Sequence, residues 1–349
     1  MATPTQPERR LLAAGFRKGS AWGTAVALGA AYGVLVESDG GLGRKQAYLP
    51  AKEADTPFVM EGDLGPIQAV DFSPPFAMRY DPGMIGTMIA LLFGTAGTPA
   101  QQAATTAYKH TLQMADSVYG KFGTFAVERP AKIHEVASVK VMGLDIAMAN
   151  GIIKGTLKCR GNTLIDTSAV NTLTQMDAIT YQDRGNRVKF TEAAVKMNAQ
   201  SGGAVTGETA LELNNLAISI NRKFDAPNVG GSASIIEPVE NDHPEITVKL
   251  DFPRMDATSA ALLATYIAET EQKMLIAFTS ANEAGTGYVY SFNLSFPSLR
   301  IVDVVYPLNE VVPSSMTLQA EDAASNPTGM SYARVYAEII NKQTTDYLT

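Results

Sequence analysis

Three runs of alternating apolar and polar residues stand out in the second half of the chain. Leu216, Ile218 and Ile220 alternate with Ala217, Ser219 and Asn221. Ile246, Val248, Leu250 and Phe252 alternate with Thr247, Lys249 and Asp251. Tyr288, Tyr290, Phe292, Leu294 and Phe296 alternate with Val289, Ser291, Asn293 and Ser295. A period of two predicts strands with one buried face. Between the second and third runs, Asp256 opens a short helix with the apolar stripe Ala260, Leu263, Tyr266 and Ile267. Leu211 to Ala320 therefore reads as strand, long loop (225–245), strand, helix, strands.

The first half shows the same order of features. Residues 1–9 are polar with two prolines and read as a mobile terminus. Tyr32–Glu37 reads as a strand, and Ser38–Gly65, rich in Gly, Asp, Pro and Lys, as a long loop. Ile67–Phe72 reads as strand again. Asp81-Pro82-Gly83 opens a helix whose stripe is Ile85, Met88, Ile89 and Leu92, stopped by Gly94. Strands are then expected at Tyr108–Met114, Phe122–Glu128, Ser138–Met142, Leu144–Ala149 and Ile152–Arg160. Asn150-Gly151 supplies a hairpin turn between the last two.

Local sequence supports pairing the halves. Val70-Asp71-Phe72-Ser73-Pro74 precedes the first helix and Leu250-Asp251-Phe252-Pro253 the second. Gly143-Leu144-Asp145-Ile146 matches Ser298-Leu299-Arg300-Ile301 in the strands that follow. The fold class expected is mainly β (α+β), as two β-sandwich or barrel modules each flanked by one short helix. The first module covers 1–165 with its N-terminal arm, a polar connector 166–205, and the second module 206–349. The competing reading is one larger β-rich fold with coincidentally similar halves.

Composition narrows the function. Of the 349 residues, 46% are hydrophobic and 18% charged, enough to build a sizeable core. The net charge of −7 and basic clusters no longer than Arg9-Arg10 and Arg17-Lys18 argue against a nucleic-acid grip. An acidic protein can still surround DNA without holding it. The single cysteine, Cys159, allows no intrachain disulfide and reads as a small buried residue in the strand Ile153, Gly155, Leu157, Cys159. Ala21–Val36 is apolar but Ala- and Gly-rich and too short to span a bilayer, so it reads as a buried arm and strand, with no membrane partner.

No catalytic chemistry is visible. His110, His134 and His243 lie away from Cys159 and from any carboxylate pair at metal-ligand spacing. Gly-x-Ser-x-Gly and phosphate-loop motifs are missing. The glycines at 40, 41 and 43 open no helix. Trp22, the sole tryptophan, reads as a packing residue. No enzyme, cofactor or metal is expected.

Several short motifs resemble those of the major tail tube proteins of long-tailed (siphovirus-type) bacteriophages. Gly15-Phe16-Arg17-Lys18-Gly19-Ser20-Ala21-Trp22-Gly23-Thr24-Ala25 is similar to an opening motif of such proteins. Ala107-Tyr108-Lys109-His110-Thr111-Leu112 resembles their Tyr-x-His-Thr-Phe strand, with Leu112 for Phe. Val139 to Asn162, including Lys154-Gly155-Thr156-Leu157, resembles their paired strands. The motifs cover residues 10–165 and the remainder matches by pattern.

The resemblance implies a structural virion protein that polymerises into stacked rings around a DNA conduit. Sheets would join side to side, and the long loop after the first strand would reach the next ring. It implies inter-ring contacts at Glu37, Asp39, Arg44, Lys45, Lys52, Glu53, Asp55, Glu61 and Asp63 in the first loop. Asp225, Asn228, Glu237, Glu240 and Asp242 would serve in the second. Partners would be further copies of the chain, as a trimeric pseudo-six-fold ring or otherwise a hexamer. Tape measure and tail terminator or distal tail proteins would complete the tail, and DNA would pass through the lumen without specific binding. The location would be the virion tail, assembled in the host bacterial cytoplasm. Other readings are a different virion part (distal tail, capsid or decoration protein), or a β-sandwich carbohydrate-binding module or hydrolase.

Overall fold

The alternating runs form strands, and most join one antiparallel sheet. The computed structural model describes residues 13–44, 46–50, 62–67, 69–80, 85–129, 132–149, 151–181, 186–232, 234–254, 257–305 and 314–349. Residues 1–9, Asp81-Pro82-Gly83, Asn150 and Asp256 lie outside them. The fold is mainly β, with short helices.

Strand β1 is Ala13–Lys18. Tyr32–Glu37, expected as a strand, makes isolated bridges instead, Gly15 to Gly33 and Val36 to Phe76. At Gly33 a Cβ would lie 2.6 Å from the Thr180 carbonyl oxygen, so the chain is pressed against 180 rather than laddered along β1. The long first loop contains a hairpin, β2 (Gln46–Pro50) and β3 (Gly62–Ile67). β4 (Val70–Phe72) and β5 (Pro75–Ala77) both pair with β10 (Ile152–Gly161), interrupted at Ser73-Pro74, where proline lacks the ladder N–H.

Helix α1 (Ile85–Phe93) closes at Gly94, which has φ 84°. The predicted stripe is one face of it, yet all nine residues are buried. C-terminal residues cover the far face. Tyr347 packs where a Cβ on Gly86 would sit 2.0 Å from its ring, and its hydroxyl accepts a bond from Asn341 Nδ2 at 2.8 Å. His110 is fully buried there, its ring nitrogens 2.8 Å from Gly97 O and 2.9 Å from Gln343 O. Burial holds its pKa below the ordinary imidazole value.

β6 (Ala100–Gln101), β7 (Tyr108–Gln113) and β8 (Gly123–Arg129) lead to β9 (Lys132–Ala149). The two strands expected at Ser138–Met142 and Leu144–Ala149 are one. Gly143 marks a close approach: a Cβ there would meet the Ile220 carbonyl oxygen at 2.8 Å. Cys159 is buried in β10, which pushes its thiol pKa up. The stretch read as connector is structured. It follows β11 (Leu164–Ile165), holds α2 (Leu173–Asp177), and ends in β12 (Ala193–Ala199), which pairs with the second half. Met176 and Ile179 pack on Ala13, Leu28 and Ala126.

The second half comprises β13 (Asn215–Asn221), β14 (Phe224–Asp225), β15 (Val239–Glu240), β16 (Glu245–Phe252), α3 (Ala257–Ile267), β17 (Gln272–Gly285), β18 (Tyr288–Val305), β19 (Ser314–Glu321) and β20 (Tyr336–Asn341). The expected stripe of α3 is rotated. Leu262 faces the core, while Tyr266 and Ile267 are exposed. Phe278 and Phe292, directly paired across β17 and β18, stack with centroids 5.9 Å apart.

The topology repeats. β8–β9–β10 in the first half corresponds to β17–β18–β19 in the second, with β9 and β18 each 18 residues long. β1 flanks β8 as β12 flanks β17, and β4/β5 flank β10 as β16 flanks β19. The halves also share backbone. Gly143–Ala147 of β9 pair with β13, and β7 pairs with β20. One cluster of buried side chains extends from Ala14 to Leu348.

An exposed helical Gly→Ala change normally stabilises by up to about 1 kcal/mol. Gly86→Ala should instead destabilise by about 1–3 kcal/mol, because the methyl group displaces Tyr347. A urea midpoint above wild type would contradict this.

Candidate functional site

The two long loops were the expected contact elements, and the structure treats them differently. The second loop is fastened to the first half by buried charge. Lys140 lies in the apolar run Val139-Lys140-Val141, and its side chain has no exposed area. Its ammonium donates to Val118 O and to Glu237 Oε1, both at 2.6 Å. Glu237 also accepts from Gly120 N at 2.7 Å. Beside it, buried Arg222 pairs with Glu240 and donates to Ala115 O at 2.8 Å. Glu240 accepts from Val118 N at 3.0 Å. Burial lowers the Lys140 pKa, and the Glu237 carboxylate opposes that shift.

Backbone and aromatic contacts complete the attachment. β14 and β15 clip the loop at Phe224–Glu240 and Asp225–Val239. Trp22 Nε1 donates to Ile235 O at 3.1 Å while its ring meets Phe122 edge-on at 5.4 Å. The packing role expected of Trp22 is thus specific: it ties the N-terminal arm to the second loop.

The remaining expected contact residues are distributed as follows. Glu237 and Glu240 turn inward and are engaged within the chain. Asp242 forms an exposed pair with Lys223, Asn228 bridges to Ile235, and Asp225 is exposed. In the first loop, Glu37 pairs with Lys154 and Asp39 with Arg129, while Arg44 donates to Gln46. Asp63 is exposed on β3. Lys45, Lys52, Glu53, Asp55 and Glu61 lie outside the described residues.

The base of the first loop belongs to the core. Leu42 is buried, and Ser73 N donates to Gly40 O at 2.9 Å. Beyond it, β2 and β3 pair with each other and with no other described strand. Tyr48, Leu49 and Leu64 are each more than half exposed on this hairpin. A lone two-stranded hairpin is marginal in water, and Tyr48 and Leu64, directly paired across this one, share a face. The alternation rule did not find it, because Gly62, Gly65 and Pro66 disguise β3.

Among the described residues, no group of three or more His, Cys, Asp or Glu is placed to hold a metal, and no helix is long and apolar enough to cross a membrane. A groove of about 400 Å³ holds His243 and Arg334, but Arg334 is already paired with Asp116 and Asp322. No model of a known protein family matches the chain, and no curated protein matches it.

Glu237→Ala would leave the Lys140 ammonium buried without its carboxylate. The expected cost is about 3–5 kcal/mol in chemical denaturation. Asp242→Ala, at a solvated pair, should leave the midpoint unchanged. Equal effects of the two would mean that the buried pair does not hold the loop.

Proposed function

We propose that the chain is a structural subunit of a phage tail tube, assembling into stacked rings with a lumen through which DNA passes. The observation that carries this reading is the edge-to-edge union of two like halves through β9 and β13. A subunit that joins repeated modules by a ladder has the bond needed to continue the series with further copies. Three chains would give six similar lobes around a ring.

Two other features support the reading. The β2–β3 hairpin is not laddered to the main sheet and exposes Tyr48, Leu49 and Leu64, which a contact with the next ring would use. The net charge of −7 suits a wall that DNA slides past. The reading assigns no catalytic role to any residue.

Negative-stain microscopy of the purified chain tests the proposal. Rings or tubes with a central hole and six lobes are expected; compact monomers at high concentration would overturn it. Replacing Gln46–Ile67 by a short Gly-Ser linker should leave rings that no longer stack. Stacks as long as wild type would remove the hairpin from the inter-ring contact.

A further inference from the structure

The repeat makes the two halves comparable at their exits, and the comparison exposes an unfilled position. In the first half, β8 pairs with β9 from Lys132 to Val139, and β13 takes over the same edge from Gly143 to Ala147. The opposite edge of that segment is occupied by β10. In the second half, β17 pairs with β18 as far as Leu299. Leu299 also pairs with Ala320 of β19, so β17 and β19 lie on opposite edges. Beyond Leu299, β19 continues to Val305, while the β17 edge has no further strand among the described residues.

The sequence match of Gly143–Ile146 to Ser298–Ile301 carries the segment that β13 fills on β9 onto 298–302, which overlaps this vacant edge at 300–302. The edge borders an open groove of about 490 Å³. One wall is Arg300, Ile301 and Val302; the other is the end of α3 with Tyr266 and Ile267. Ile267 is 73% exposed and Val302 49%, and Val305 lies further along the same strand at 46%. An unpaired edge beside exposed aliphatic side chains is a template for an added strand.

We propose that the Arg300–Val305 edge of β18 receives a second copy of this chain, head to tail, through its stretch 36–40. The proposal rests on the tube reading and names its lateral contact. The stretch is the topological counterpart of β13. It runs antiparallel beside β5 and β4, with Val36 bridged to Phe76, Glu37 N donating to Pro75 O and Ser73 N to Gly40 O. β13 runs in the same way beside β16. Glu37 and Ser38 are exposed on this stretch. The contact is heterologous, so it propagates and closes a ring when the rotation allows, instead of stopping at two copies.

The test combines hydrogen exchange on wild type with one double variant. Amides of Arg300–Val305 and of 36–40 should exchange at least about tenfold more slowly in assemblies than in dilute monomer. Ile267→Lys with Val302→Lys should raise the concentration needed for assembly by about tenfold or more, read by sedimentation velocity, with an unchanged circular dichroism melt. Wild type that stays monomeric would overturn both the tube reading and this contact. Rings that form while Arg300–Val305 exchange as in monomer would overturn this contact and leave the tube reading standing. A closed dimer with Arg300–Val305 protected would mean that two β18 edges pair with each other, and would overturn the head-to-tail occupant. Because the exchange arm uses unaltered protein, it decides the matter even where the double variant does not fold.

Discussion

The ladder between β9 and β13 is the interaction on which the rest of the molecule depends. Backbone N–H and C=O groups removed from water need partners, and a sheet can supply them only to strands inside it. Each half alone would end in an open edge at its longest strand. Pairing Gly143–Ala147 with Ala217–Asn221 closes one of these edges inside the chain. It also sets Ile146 beside Ile218 and Leu144 beside Ile220, so the apolar faces of both halves meet in one buried cluster. Gly143 is the residue that permits the approach, because any side chain there would strike the Ile220 carbonyl. The β7–β20 pairing then returns the C-terminal residues to the first half, where Tyr347 covers α1.

This arrangement explains why the two helices differ although they occupy like positions. α1 is buried on every side, because the sheet lies on one face and the C-terminal residues on the other. α3 has only Leu262 buried among its described side chains, and its end carries exposed Tyr266 and Ile267. Similar topology with dissimilar covering is what a repeat shows when one copy is completed within the chain and the other is not. The second loop follows the same logic. Lys140 and Arg222 are cations in a low-dielectric setting, tolerable because Glu237 and Glu240 come with the loop to meet them. The loop is thereby built into the first half.

Much of this was legible in the chain itself. Period-two alternation located β13, β16 and the start of β18, because each has one face in the core. The order of features exposed the repeat. What the pattern missed has identifiable physical causes. Gly143 looked like a break because a glycine at a crowded crossing and a glycine at a turn are the same letter. The connector looked polar because α2 and β12 are short and half-covered, with Met176 and Val195 as their fully buried side chains. The acids at 237 and 240 looked like surface contacts because their partners lie far off in sequence. One signal was available: Lys140 between two valines is a buried cation that needs a distant carboxylate. The α3 stripe was misplaced by one residue, since Leu262 and Leu263 are adjacent and periodicity alone does not choose between them.

Two of the surfaces left open among the described residues are chemically distinct, which bears on the proposed assembly. The vacant β18 edge offers directional backbone groups beside aliphatic side chains, which fixes register and angle. The β2–β3 hairpin offers exposed Tyr48, Leu49 and Leu64 on a two-stranded sheet separate from the main one. In the proposed ring, a lateral bond would have to repeat the same rotation at every step, which would suit the ladder. In the proposed tube, an axial bond would have to tolerate bending, which would suit the hairpin. The division of labour follows from which surface is built on the core and which is not. On that reading the two halves would have unequal roles despite their common plan: the first half carries the hairpin, and the second holds the open edge.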